Sequence, residues 1–137
     1  MKEYLLPTRI IEAVKAEHVE TLFKHKGLYA TINYNVEEWV EYAKLEGVGA
    51  YIILDFGKEM HGGIRIITDL ILKDHCRVRI RFGESLGEVS SSIGEKNATN
   101  AHALRDFETV LCCYADATVG ETGFRFVRID LLENKYI

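Results

Sequence analysis

The chain has 137 residues and a net charge of −4, and its 28% of charged residues is ordinary for one globular domain. The acidic balance argues against a nucleic-acid surface, because affinity for phosphates depends on clustered cations, although a local basic stripe is compatible with it. No apolar run reaches the length of a membrane span, so no membrane partner is expected. The N-terminus lacks the apolar core of a signal peptide, which leaves both a cytoplasmic and a periplasmic location open.

Alternation of apolar and polar residues dominates the chain and predicts β-strands. In chain order the predicted strands are 8–13, 28–33, 49–56, 62–69, 76–82, 104–111 and 123–132. Glycines such as Gly57, Gly62 and Gly120 lie between strands and predict turns. Short strands separated by such turns predict an all-β fold, an antiparallel β-sandwich or jelly roll. Residues 1–137 are expected to form a single domain.

Three segments depart from simple alternation. Residues 16–27 predict one short helical turn. Residues 35–47 fit either a helix capped by Asn35 or a strand, and we favour the strand because a hairpin partner follows directly. Residues 83–103 form the only long irregular stretch, and connections of that length in compact domains usually carry function.

The strand 76–82 alternates arginines with apolar residues. Its apolar residues are expected to face the core, which places Arg77, Arg79 and Arg81 outward. Three cations in a row repel one another unless carboxylates lie opposite them on a neighbouring strand. Asp106 and Glu108 of this chain are one supply, with Arg79 and Glu108 the pair to test, and an acidic partner surface is another. Both an ordinary solvated face and a docking face for another domain therefore stay open.

The last predicted strand, 123–132, has apolar residues on both parities. Phe124 and Phe126 share one parity, whereas Val127 and Ile129 share the other. Either a bulge near Phe126 switches the parity, or both faces of the strand are covered.

The segment 94–108 is the candidate site for a polar ligand. Asn97, Asn100, His102 and Asp106 place hydrogen-bond donors and acceptors at short spacing, as sugar hydroxyls require. Calcium would accept the same oxygens, and Trp39 could stack on a sugar ring. The alternative is a loop held by its own Asx turns, with Trp39 packed in the core.

Catalytic and metal sites find little support in the sequence. A glycosidase needs two carboxylates at a defined separation, whereas Glu84, Glu88 and Glu95 follow one another on an irregular stretch with no partner to hold them. The three cysteines, two of them adjacent, form neither a disulfide framework nor a zinc-ligand spacing. No resident cofactor is expected, with calcium as the one open alternative.

Four segments in a fixed order carry a resemblance to a known family. They are YIILDFGKEMHGGIRI (51–66), RVRIRFGESLGE (77–88), KNATNAHALRDFE (96–108) and TGFRFVRIDLL (122–132). Together they resemble the β-sandwich domain that precedes the catalytic barrel in bacterial α-L-rhamnosidases, which are glycoside hydrolases. The resemblance implies a galactose-binding-like sandwich with at most one or two short helical turns.

The same resemblance implies a function and a partner. In that family hydrolysis belongs to an (α/α) barrel that follows the sandwich, so this chain would be a non-catalytic portion of a larger modular protein. The barrel would be its partner, and Arg77, Arg79 and Arg81 would form an interdomain face. The alternative is a carbohydrate-binding module for rhamnose-containing glycans, assisted by calcium.

Overall fold

A computed structural model describes residues 3–23, 43–68, 75–90, 105–113, 115–133 and 137, and these residues form an all-β fold as predicted. The strands are β1 (Arg9–Val14), β2 (Ala16–Glu17), β3 (Lys44–Leu45), β4 (Tyr51–Ile67), β5 (His75–Gly83), β6 (Asp106–Cys112) and β7 (Asp116–Leu131). A 3₁₀ turn at Val19–Phe23 and a short helix α1 (Leu86–Ser90) complete the described elements. None of the helices in these ranges is long and apolar enough to cross a membrane.

Five strands form one antiparallel sheet in the order β1-β4-β7-β5-β6, and β2 pairs with β3 in a second, smaller sheet. Alternation gives the large sheet an apolar face, defined by Ile52, Leu54, Val78, Ile80, Val127 and Leu131. Leu45 of β3 is buried against this face, and Ala16 of β2 and Leu22 of the 3₁₀ turn pack on it. The main core therefore lies between the large sheet and the smaller one.

The predicted strands 49–56 and 62–69 are one continuous strand, β4. The glycines between them form irregularities in the pairing with β7, between Asp55 and Met60 and between Gly62 and Ile64, rather than a turn. A Cβ atom at Gly63 would lie 2.3 Å from the carbonyl oxygen of Gly120, so the two backbones approach too closely for any side chain. The prediction of a turn was wrong because glycine permits both conformations.

The strand β7 is longer than predicted, and the parity of its core-facing residues changes along its length. Phe124 lies in the main core, with its ring 5.0 Å from that of Phe82, whereas Phe126 packs with Ile53 and Val89 in a second cluster. Residues two apart in a regular strand share a face, so the strand switches parity opposite the β4 irregularity. Of the two alternatives, the switch of parity near Phe126 is confirmed, and on the other face Val89 of α1 covers the strand at Phe126.

The helix α1 corrects the expectation that residues 83–103 are irregular throughout. Ser85 Oγ accepts a hydrogen bond from the Glu88 backbone N–H, and the Glu88 carboxylate accepts one from the Glu84 N–H. This reciprocal capping is typical of the S-x-x-E pattern and could have been recognised in the sequence. The helical turn predicted within 16–27 is confirmed at Val19–Phe23. The predicted strand 28–33, most of 35–47 and residues 91–103 lie outside the described residues.

Candidate interdomain face

The arginines of β5 lie on the face of the large sheet that is opposite the main core. Directly opposed residues of antiparallel strands share a face, so the pairing of β5 with β6 and β7 adds charged residues from both neighbours. We call this surface the charged face. It is defined by Tyr51 of β4, Arg77, Arg79 and Arg81 of β5, Asp106 and Glu108 of β6, and Arg128 and Asp130 of β7.

The carboxylates predicted to neutralise the arginines do so. Arg79 donates two parallel hydrogen bonds to Asp106, at 2.7 and 2.6 Å, and Arg77 donates to Glu108. The fork of a guanidinium matches the two oxygens of a carboxylate, which makes the Arg79–Asp106 pair the stronger of the two. The hydrogen bond to the Asp106 carboxylate raises the pKa of Arg79, which favours the charged form of the guanidinium.

The pairing is diagonal rather than straight across the strands. Arg79 lies opposite Glu108 in the register of β5 and β6, yet its side chain binds Asp106, which lies opposite Arg81. Long side chains reach the diagonal neighbour on an antiparallel pair, and a bidentate contact favours that reach. The Arg79–Glu108 pair considered from the sequence is therefore replaced by a pair with Asp106, two residues away along β6.

Because Asp106 binds Arg79, Arg81 does not pair with Asp106, the residue directly opposite it on β6. It donates instead to Asp130 of β7 at 2.8 Å, and only 6% of its side chain is exposed. Arg81 lies on the face away from the main core, as expected, but its side chain is buried rather than solvated. Its Nε is buried and has no hydrogen-bond acceptor among the residues that the structure describes.

Arg128 extends the charged face toward β4. Its guanidinium donates to both oxygens of Asp130, at 2.9 and 3.1 Å, and lies 4.0 Å from the centre of the Tyr51 ring. Tyr51 is hydrogen-bonded to Glu12 of β1, and this contact raises the pKa of the tyrosine hydroxyl. Contacts between charged or aromatic groups thus run from β6 to β1 across the whole sheet.

A second polar cluster, at Asp55, lies beside the charged face. Asp55 is 1% exposed and accepts hydrogen bonds from Arg125 at 2.9 and 3.1 Å, from Arg9 at 2.7 Å and from the Gly57 N–H at 2.7 Å. The bonds from Arg125, foremost, hold the pKa of this carboxyl well below its usual range. The sequence analysis missed this role. The only signal for it was an aspartate two residues before a glycine, at the end of an apolar run.

A third cluster joins α1 to the start of β6. Arg105 donates to Glu88 at 3.0 Å, to Glu84 at 3.2 Å and to the Gly123 carbonyl oxygen at 3.0 Å. The expectation that these glutamates have no partner is therefore wrong for Glu84 and Glu88. A hydrogen bond to Glu84 raises the pKa of Glu59, so a third carboxylate lies beside this cluster.

The predicted sugar-binding residues are mostly outside the described residues. Asn97, Asn100, His102 and Trp39 belong to this group, and their role stays a prediction. Asp106 is described and is the first residue of β6, with both carboxylate oxygens bound to Arg79. Within the described ranges no three His, Cys, Asp or Glu side chains are arranged to hold a metal ion.

The geometry defines an all-β domain with one apolar face and one arginine-rich face, and comparison with known proteins places this fold. No family model and no curated protein match the sequence. A solved rhamnosidase from Klebsiella oxytoca with rhamnose bound is similar in structure, with a TM-score of 0.58 at 15% identity. The similarity covers 96% of this chain and 26% of that chain, so the chain spans about a quarter of the length of the solved enzyme. At this identity the likeness establishes the fold alone.

Proposed function

We propose that the chain is an accessory β-sandwich domain of an α-L-rhamnosidase-like glycoside hydrolase, supporting a catalytic (α/α) barrel formed by other residues of the parent protein. One observation carries this proposal, namely that nearly the whole chain matches about a quarter of a rhamnosidase. The four sequence segments between residues 51 and 132 that resemble the sandwich domain of that family support it.

The chemistry of the described carboxylates also favours a supporting role. Retaining and inverting glycosidases both use one carboxylic acid with a raised pKa and a second, ionised carboxylate. On the charged face Asp106, Glu108 and Asp130 are each bound by an arginine, so their oxygens are engaged in ion pairs within the sheet. Groups of this kind suit binding and orientation better than proton transfer.

The test of the proposal compares the 137-residue chain with the full-length gene product on a chromogenic aryl α-L-rhamnoside. We expect the full-length protein to hydrolyse the glycoside and the isolated chain to show no rate above the uncatalysed reaction. Hydrolysis by the isolated chain would overturn the accessory role, and so would a full-length protein that is inactive on every α-L-rhamnoside tested.

The alternative function is a carbohydrate-binding module, with Asn97, Asn100, His102, Asp106 and Trp39 as its candidate residues. Three of them belong to residues 91–104, which follow α1 in the sequence and precede Arg105. Calorimetric titration of the chain with L-rhamnose, with and without calcium, separates the two functions. Heat that saturates at millimolar sugar favours the module, and its absence favours the supporting domain.

A further inference from the structure

The cluster around Arg105 contains more carboxylates than cations. Arg105 is 12% exposed and donates hydrogen bonds to Glu88 at 3.0 Å and to Glu84 at 3.2 Å. Glu59 of β4 is a third carboxylate beside the same guanidinium. Three carboxylates against one guanidinium leave two uncompensated negative charges among these described groups when all of them are ionised.

The space above Gly123 shows how closely this cluster lies against β4. A Cβ atom at Gly123 would lie 3.7 Å from Glu84 Oε1, 3.8 Å from a terminal nitrogen of Arg105 and 4.0 Å from the Met60 carbonyl oxygen. Met60 is the residue after Glu59, so the backbone of β4 and the bend before α1 meet at this point. The contact between Glu59 and Glu84 therefore joins two different elements of the fold.

Glu59 lies in the most irregular part of β4. Asp55 pairs with Phe126 and Met60 pairs with Phe124, so residues 56–59 of β4 lie opposite the single residue Arg125 of β7. Residues 57–59 are exposed. A bulged segment of this kind makes few ladder hydrogen bonds, so its side-chain contacts have a large share in holding it in place.

The chemistry of the contact between Glu59 and Glu84 makes it depend on pH. Ionised carboxylates are acceptors only, so a hydrogen bond between two of them needs a proton on one. The bond to Glu84, foremost, and the charges of Glu84 and Glu88 raise the pKa of Glu59. A carboxyl group with a raised pKa in the folded state stabilises that state in acid, and the stabilisation is lost as the pH rises through the raised value.

From this arrangement we propose that Glu59 is a pH-dependent latch, which holds the irregular segment 56–59 against the bend before α1 in acid and releases it at neutral pH. The charged groups that act on Glu59 are Glu84 from the bend, Glu88 from α1 and Arg105 from the residue before β6. Arg105 is already bound to both of the other glutamates, so at neutral pH Glu84 keeps its cation and the exposed Glu59 is repelled. The latch belongs to this chain alone and does not depend on the proposed function.

Carbon-13 NMR of the Glu59 carboxyl group in the 137-residue chain measures its protonation directly. We expect a titration midpoint above the ordinary glutamate value of about 4.3. Glu84→Gln removes the charged partner and should lower the midpoint toward that value. An ordinary midpoint in the wild type would overturn the latch, and so would a raised midpoint that Glu84→Gln leaves unchanged.

Hydrogen exchange of the backbone amides of residues 56–59 measures the release of the segment. Glu59→Gln carries an amide that can donate to Glu84 at any pH, so the variant should stay latched. At about pH 7 these amides should exchange several-fold more slowly in the variant than in the wild type. At about pH 4 the two proteins should exchange alike, and Asp55 is still ionised there.

Glu46→Gln is the matched control, because it makes the same change at another exposed glutamate, which is bound to Lys44 of β3. It should leave the exchange of residues 56–59 unchanged at both pH values. Equal exchange of the wild type and Glu59→Gln at about pH 7 would overturn the latch, as would a difference that persists at about pH 4. The comparison with Glu59→Gln decides alone if circular dichroism shows that Glu84→Gln, which also loses a bond from Arg105, is not folded.

Discussion

The two faces of the large sheet are built by the same strands and are stabilised in different ways. Ile80 and Arg81 are consecutive residues of β5 that point to opposite faces, and they are 0% and 5% exposed. Ile80 lies in the continuous apolar core, where removal of its surface from water favours folding. Arg81 is almost equally buried, but burial of a guanidinium costs free energy that its contacts must offset. Burial on the charged face is therefore no measure of stability, and this difference can be tested by mutation.

The largest expected loss comes from the apolar face. Phe124 is 1% exposed and packs edge-to-face on both Phe56 and Phe82. Phe124→Ala should lower the free energy of unfolding by about 3–5 kcal/mol, because it removes buried surface and leaves a cavity. Val110→Ala is the control, since Val110 is 49% exposed and the change should stay within about 0.5 kcal/mol. Urea unfolding at neutral pH measures both, and equal losses would contradict the location of the core.

The next effect tests the close approach of β7 to the core. Gly120 has a φ of 84°, and a Cβ atom there would lie 2.6 Å from the Phe82 ring. Gly120→Ala should cost about 2–3 kcal/mol, because both the backbone conformation and the packing oppose it. Gly62→Ala is the matched control on β4, where a Cβ atom meets nothing within 4 Å. Similar midpoints of urea unfolding for the two variants would contradict this packing.

A smaller loss is expected at the Asp55 cluster, and it should depend on pH. Asp55→Asn should cost about 1.5–3 kcal/mol at pH 7, because it removes charged hydrogen bonds from Arg9 and Arg125. The folded state lowers the pKa of Asp55, so its stabilisation is complete above the ordinary carboxyl pKa of about 3.9 and is lost as the pH falls below it.

The difference in stability between Asp55→Asn and the wild type should therefore narrow as the pH falls from 7 to about 3. Denaturant titrations at several pH values measure this difference. If the difference in unfolding free energy stays constant or widens in acid, the charge of Asp55 is not what stabilises the folded protein.

The smallest effect separates the diagonal pairing from the straight one. A double-mutant cycle between Arg79→Gln and Asp106→Asn should give a coupling of about 1 kcal/mol, because the pair is bidentate and half-buried. The same cycle between Arg79→Gln and Glu108→Gln should give a coupling close to zero. The reverse order of the two couplings would restore the pairing that the strand register alone indicates.

The alternation of residues predicts most of the strands and the face on which the charged side chains of β5 lie. It does not predict which ion pairs those side chains form. Alternation predicted that β5 would place its apolar residues in the core and its arginines on the other face. It could not predict which carboxylate each arginine binds, because that choice depends on side-chain reach across strands. The burial of Asp55 depends on Arg125, 70 residues away, and no local pattern encodes such a contact.

Glycines produced the other misreading. The segment between Gly57 and Gly63 could form a turn or a pair of irregularities in one long strand, and only the presence of β7 alongside decides between them. The candidate sugar-binding residues within 91–104 stay predictions from the sequence.

The account depends on one difference, that burial of Ile80 stabilises the fold of this chain whereas burial of Arg81 contributes little to its stability. Urea unfolding of the isolated chain carrying Ile80→Ala or Arg81→Met tests this directly, because the two positions are adjacent and almost equally buried. We expect Ile80→Ala to cost about 2–5 kcal/mol, while Arg81→Met stays within about 1 kcal/mol of the wild type or exceeds it, since Asp130 keeps its bond from Arg128. A loss at Arg81→Met as large as that at Ile80→Ala would contradict the account.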